Sequence, residues 1–149
     1  MEVNPVNINV AESKDKSRLK IMIVEDDFAS SLIVDCYLSK YGDCFVAGNG
    51  TEAVEAFRNA LDEGEPYDLV CLDIMMPEMN GHLVLEEIGR IEAERQISDS
   101  NCVTVIMTTA IDDSEDMIKA FKEGCKAYIV KPITFEKLIA EMRKLSFIK

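Results

Sequence analysis

Short apolar runs, each handing over to polar residues and then to a helix-period pattern, constrain this chain more than any other feature. IMIV precedes Glu25–Asp26, DLVCL leads into Asp73, VTVIMT precedes Thr109, and AYIV precedes Lys131. Runs of this length between helical patterns read as strands buried on both faces of a parallel sheet. In such sheets the ligand site lies beyond the carboxyl ends of the strands, near the point where strand order reverses. One fold therefore gathers three carboxylates, a hydroxyl and an ammonium at one edge.

Strands are expected at 20–24, about 43–47, 68–72, 102–108 and 127–130. Helices are expected at about 28–40, 51–63, about 81–95, from the Asp112–Asp113–Ser114 cap to Gly124, and after the capping Thr134. The first helix shows Leu32, Ile33, Cys36, Tyr37 and Tyr41 at helical spacing; the second shows Ala53, Val54, Phe57, Ala60 and Leu61. Phe135, Leu138, Ile139, Met142 and Leu145 form the inward face of the last. Asn49–Gly50 makes a turn, Gly64 ends the second helix, and Pro77 and Asn80–Gly81 punctuate the loop before the third. Gln96–Asn101 is a polar slack stretch. The pattern is an α/β fold, a (βα)5 doubly wound parallel five-stranded sheet with right-handed crossovers. Residues 1–18 read as a flexible polar tail, with VNINV a candidate for local docking, and 19–149 as a single domain without repeats.

A chain of 149 residues buries a substantial core. Its net charge of −12 argues against direct nucleic-acid binding and against an anionic membrane surface. The five cysteines lack metal-type spacing, and Cys71 and Cys102 are expected inside strands as small apolar residues. Reduced thiols without a signal peptide point to the cytoplasm, and no apolar run is long enough to cross a bilayer.

The chemistry lies in the strand-end residues. Glu25, Asp26 and Asp73 repel one another if their strands are neighbours, and burial worsens the repulsion. A bound Mg2+ (or Mn2+) resolves it, because a hard cation takes carboxylate and backbone oxygens while keeping waters. Asp73 is the candidate nucleophile toward a phosphoryl group, forming an acyl phosphate. Lys131 supplies fixed positive charge and Thr109 a hydroxyl donor, while Thr108 is directed away. Lys131 precedes Pro132, and a cis bond there turns the lysine into the site. His82, the only histidine, reads as a surface residue beginning the third helix, and Met75, Met76 and Met79 as loop packing.

These pieces together resemble a response-regulator receiver domain, the CheY-like family of two-component signalling. The matching segments are IMIVEDD with Glu25–Asp26, LVCLDIMMPEMNG around Asp73, TTA with Thr109, and AYIVKP with Tyr128 and Lys131. They cover nearly everything from Lys20 onward. The resemblance implies the flavodoxin-like strand order 2-1-3-4-5. It implies a histidine kinase or phosphotransfer protein donating phosphate to Asp73, with Mg2+ held by Asp26, Asp73 and the Met75 carbonyl, and by Glu25 through water. It also implies that Thr109 and Tyr128 act as switch residues, altering the partner preference of the face built by the fourth helix, fifth strand and fifth helix. In the family, positions two residues after the phosphoacceptor and two after the switch threonine influence attack by water. Here they are the apolar Met75 and Ile111. Slow self-dephosphorylation is the expectation.

The chain ends seventeen residues after Pro132, so the expectation is a stand-alone receiver. Its output is then contact with a downstream effector protein, as a monomer or a phosphorylation-promoted dimer. The roles open to it are a chemotaxis-like regulator, a phosphorelay intermediate or a phosphate sink. No enzymatic activity is expected beyond self-phosphorylation and autodephosphorylation at Asp73. A flavodoxin-type electron carrier is disfavoured because EDDFASS places acids where a phosphate loop needs amides and hydroxyls. A haloacid-dehalogenase-type phosphatase is disfavoured because Asp73–Ile74–Met75 lacks the second acid of its motif. An adaptor that merely retains the site is the remaining alternative.

Overall fold

The computed structural model describes residues 18–149, so the expected tail and its VNINV segment lie, apart from Arg18, outside the described residues. Strands β1 (Leu19–Val24), β2 (Gly42–Ala47), β3 (Leu69–Asp73), β4 (Thr104–Thr109) and β5 (Ala127–Val130) form one parallel sheet in the order β2-β1-β3-β4-β5. Helices α1 (Phe28–Leu38), α2 (Gly50–Asp62), α3 (Gly81–Glu94), α4 (Ser114–Lys122) and α5 (Phe135–Lys144) connect and close it. The chain winds from β1 to β2 on one side and from β1 to β3 on the other. This reversal opens a crevice at the carboxyl ends of β1 and β3.

Alternate strand residues feed two separate cores. Met22, Val24, Val70 and Leu72 pack with Phe57 of α2 and Ile88 and Ile91 of α3. Ile21, Ile23 and Cys71 pack on the opposite face with Val34 and Leu38 of α1 and Leu138 and Met142 of α5. Each fully buried aliphatic side chain contributes about 1.5–3 kcal/mol relative to exposure. The five helices start at side-chain caps from Asp27, Asn49, Asn80, Asp113 and Thr134, which accept backbone N–H groups of the first turn.

The structure departs from the sequence reading in several places. In α1 the buried residues are Ser31, Val34 and Leu38, whereas Leu32 and Ile33 are 50% and 48% exposed and Cys36 is exposed. This helix is apolar on most sides, so its periodicity carries little phase information, and contact with Ile21 and Ile23 decides which face turns inward. Asn49 caps α2 and Gly50 lies within it, rather than the pair forming a free turn. Asp73 and Thr109 are the last residues of their strands rather than the first beyond them. Cys102 is half-buried and ends a short 3-10 turn (Asp99–Asn101) instead of lying in β4. Gly64 and Gly124 follow α2 and α4 at φ 75 and 113°, as expected of helix-ending glycines.

Gly81 is a position beside Asp73 where the fold admits no side chain. A Cβ there would stand 2.5 Å from the Asp73 carbonyl oxygen and 2.7 Å from Ile74 Cα. The Gly81 N–H donates to the Ile74 carbonyl at 2.9 Å, so the start of α3 rests directly on the backbone that carries Asp73. Because that contact is backbone against backbone, Gly81→Ala is expected to destabilise the protein by about 1–3 kcal/mol. Urea denaturation checks this, and an unchanged midpoint at unchanged slope would contradict the packing argument.

Candidate functional site

The end of β1 delivers Glu25, 5% exposed, and the exposed Asp26; the end of β3 delivers Asp73, 2% exposed. Backbone bonds lock both strand ends: Glu25 N–H donates to Ala47 O at 3.1 Å and Ile74 N–H to Thr108 O at 2.9 Å. One carboxylate oxygen from each of Glu25, Asp26 and Asp73 lies within 4.8 Å of the other two. The Lys131–Pro132 peptide is cis. Lys131 Nζ stands 2.8 Å from Glu25 Oε1 and 3.5 Å from Asp73 Oδ1, while its backbone N–H donates to Thr109 O at 2.7 Å. Thr109 is buried one residue beyond Thr108, the register partner of Asp73, and its Oγ1 accepts the Ile111 N–H at 3.2 Å. The five residues picked out at strand ends thus share one edge of the sheet. Met75 and Ile111 lie in the adjoining loops, both substantially exposed. Tyr128, half-buried in β5, directs its hydroxyl to Asp116 Oδ2 at 2.8 Å.

Burial, followed by the charge of Glu25, pushes the Asp73 carboxyl up to about 6 against the opposing pull of Lys131. Burial alone disfavours the Lys131 ammonium, but its bonds to Glu25 and its proximity to Asp73 outweigh that and hold its pKa above the ordinary lysine value. Asp73 Oδ1 is buried and accepts no hydrogen bond, despite the ammonium 3.5 Å away. A buried acceptor without a partner costs about 1–3 kcal/mol. Three hard oxygens drawn together around such an atom fit a divalent cation of the Mg2+ class, which binds a few carboxylates and keeps waters.

Three features of this region escape the sequence. Gly81 is needed for close approach to Asp73, as described above. Phe28, 78% exposed, together with Leu32 and Ile33 forms an apolar patch on α1. It borders a recess of about 180 Å³ lined by Ser30, Ile33, Val34, Lys131, Pro132 and Ile133. His82 is not the expected surface residue. It is 8% exposed, with Nδ1 2.5 Å from Glu123 Oε1 and Nε2 2.8 Å from Asp116 Oδ1. These partners lie 41 and 34 positions away, beyond the reach of any local pattern.

The Asp73 shift has a stability consequence. Its folded pKa of about 6 lies above the ordinary 3.8, so the folded chain keeps this proton to higher pH than the unfolded one. Stability of the metal-free protein therefore falls as pH rises between about 4 and about 6 through this group. Asp73→Asn removes the loss. Above pH 6 the variant is expected to be more stable than wild type by on the order of 2 kcal/mol, with the gap closing toward pH 4. Thermal melts in chelator across that range check it, and a gap independent of pH would refute the assignment.

With this geometry established, known proteins supply the context. The family model described as the response regulator receiver domain matches residues 21–143. The transcriptional activator protein IrlR of Burkholderia pseudomallei is 32% identical over 127 residues, covering 85% of this chain and 50% of IrlR. This chain spans about half the length of the curated relatives it matches. Among solved structures, a chain of the CheX–CheY–BeF3–Mg2+ complex from Borrelia burgdorferi superposes with a TM-score of 0.71 at 28% identity, covering 88% of this chain and 90% of that one. The complex of Saccharomyces cerevisiae Ypd1, a histidine phosphotransfer signalling protein, with the receiver domain of Ssk1 gives 0.72 at 26% identity, covering 86% and 88%. No helix among the described residues is long and apolar enough to cross a membrane. The strand order, the acidic edge and these matches converge: the chain belongs to the response regulator receiver domain family of two-component signalling.

Proposed function

We propose that residues 19–149 act as a phosphorylation-dependent receiver that takes a phosphoryl group from a phosphohistidine onto Asp73. The observation that carries this reading is the buried, unbonded Oδ1 of Asp73, set beside Lys131 and within a cluster of carboxylates. Asp73 attacks the phosphorus in line; the new O–P bond forms as the P–N bond breaks, and the departing imidazole nitrogen keeps the electron pair. Lys131 balances charge on the transferred group, and Thr109, at the end of β4, donates its hydroxyl to a phosphoryl oxygen. Asp26, Asp73 and the Met75 carbonyl would hold a divalent cation, and Glu25 would contribute through a bound water. When bound, Mg2+ or Mn2+ neutralises the phosphoryl oxygens. The chemistry ends with self-phosphorylation and loss of the phosphoryl group to water.

The partners follow from two apolar surfaces. Ile33 lines the recess beside Lys131, and with the exposed Phe28 and Leu32 of the same helix it suits the helical, histidine-bearing surface of a kinase or phosphotransfer protein. Ile118 and Phe121 of α4, 54% and 44% exposed, lie on the α4-β5-α5 face. Movement of Thr109 and Tyr128 on phosphorylation alters that face for an effector protein or a second copy. The acidic charge disfavours direct nucleic-acid contact by this domain.

Intact-protein mass after incubation with acetyl phosphate and Mg2+ tests the reading. Wild type is expected to gain one phosphoryl group, and Asp73→Asn and chelator-treated protein none. No adduct from acetyl phosphate or from a phosphohistidine donor would overturn it. The apolar, exposed Met75 and Ile111 offer no polar side-chain group to orient a water at the site. Replacing both with Asn or Gln is expected to speed loss of phosphate by about tenfold, roughly 1.4 kcal/mol of barrier. Unchanged decay in a phosphate-release assay would remove these two positions from the mechanism.

A further inference from the structure

The unexpected burial of His82 links α3, α4 and the proposed switch tyrosine. Its two ring nitrogens face two different carboxylates, Glu123 Oε1 at 2.5 Å and Asp116 Oδ1 at 2.8 Å. A neutral imidazole has one N–H and one lone pair, so only the doubly protonated ring donates to both. Asp116 is fully engaged in turn: Oδ1 faces His82, and Oδ2 accepts the Tyr128 hydroxyl at 2.8 Å. Burial pushes the Asp116 carboxyl up, but hydrogen bonds from Tyr128 and His82 more than compensate and hold its pKa below the ordinary aspartate value.

Packing makes this clamp consequential. Ala120 is the only buried residue of α4, so apolar contact anchors that helix weakly. Asp116 lies in its first turn and Glu123 is its C-cap. One ring on α3 therefore ties both ends of α4 to the body of the protein. Without it, Asp116 and Glu123 lose their shared partner, and Asp116 is no longer held in place for Tyr128.

We propose that His82 is a positioning residue that acts through Asp116 to hold Tyr128 and α4 in the arrangement seen here, thereby opposing the switch to the phosphorylated conformation. The proposal rests on the receiver reading given above. By linkage, whatever phosphorylation must break to change the face also opposes phosphorylation. Releasing the clamp therefore makes Asp73 easier to phosphorylate, although His82 contributes nothing to the phosphoryl-transfer chemistry.

The test is a double-mutant cycle read by the initial rate of phosphorylation from acetyl phosphate with Mg2+. His82→Leu and Tyr128→Phe are each expected to raise the rate about fivefold, a coupling in the usual range. The double variant is expected to be no faster than the faster single one, because both changes release the same restraint. A rate for His82→Leu equal to wild type, or effects that multiply in the double variant, would overturn the proposal. Multiplying effects are the result expected if His82 merely stabilises the fold. His82→Gln, whose single amide nitrogen cannot reach both carboxylates as the two ring nitrogens do, is read the same way should the leucine variant not fold.

A second readout separates this proposal from the receiver reading. With fluorotyrosine at the four tyrosines, the Tyr128 19F resonance is identified by its loss in Tyr128→Phe. It is expected to shift in His82→Leu; an unmoved resonance overturns the coupling whether or not phosphate is taken up. Failure of wild type to accept phosphate from any donor instead counts against the receiver reading.

Discussion

Everything about this domain is organised around a repulsion the fold does not relieve. Three carboxylates meet at the carboxyl edge of β1 and β3, and Lys131 contacts only two of them. Left to themselves, such groups would move apart into water. They are held because the segments carrying them are tied into the sheet on both sides, by Glu25 N–H to Ala47 O and by Ile74 N–H to Thr108 O. The two apolar cores above and below keep the sheet from yielding. A buried carboxylate oxygen without a hydrogen bond is expensive to maintain. It persists because the surrounding backbone is over-determined, a common condition where a site is poised to receive a ligand or a reacting group.

The same division of labour explains why the surfaces differ. α2, α3 and α5 bury several residues each and act as fixed walls. α1 buries Val34 and Leu38 yet leaves Phe28, Leu32 and Ile33 toward solvent beside the acidic edge. α4 buries Ala120 alone, and polar bonds supply what apolar contact does not. Polar tethers suit an element that must adopt a second position. A hydrogen bond exchanged for another costs little, whereas unpacking a close-packed core forfeits its dispersion contacts outright.

How much of this could be read from the sequence depended on whether the information was local. The acidic edge was legible because strand ends are local and the parallel α/β topology brings them together regardless of loop detail. The parallel α/β class and all five helices followed from alternation and caps, with boundaries shifted by a residue or two, whereas the strand order followed from the family resemblance. The inward face of α1 was not legible, since a helix apolar on most sides has no phase until the sheet supplies one. Cys102 was misplaced because an apolar residue next to a strand resembles a strand residue; the 3-10 turn at Asp99–Asn101 delays β4 to Thr104. His82 was unreadable for a stronger reason. A histidine declares itself by its partners, and these lie on a helix that reaches it only in three dimensions.

That last miss shows where a family resemblance stops informing. Membership accounts for the sheet, the acidic edge and the strand-end lysine, all of which follow from topology plus charge. It does not determine how firmly α4 is held, because that rests on side chains free to vary without disturbing the core. In this chain the holding group is a single buried imidazole. A loss of interaction of about 1.4 kcal/mol at such a tether changes a two-state population tenfold. Receivers sharing one fold and one acidic site can therefore differ widely in how readily they switch. In this chain the residue proposed to set it, His82, lies at the α3–α4 junction, where no part of the phosphoryl-transfer chemistry takes place.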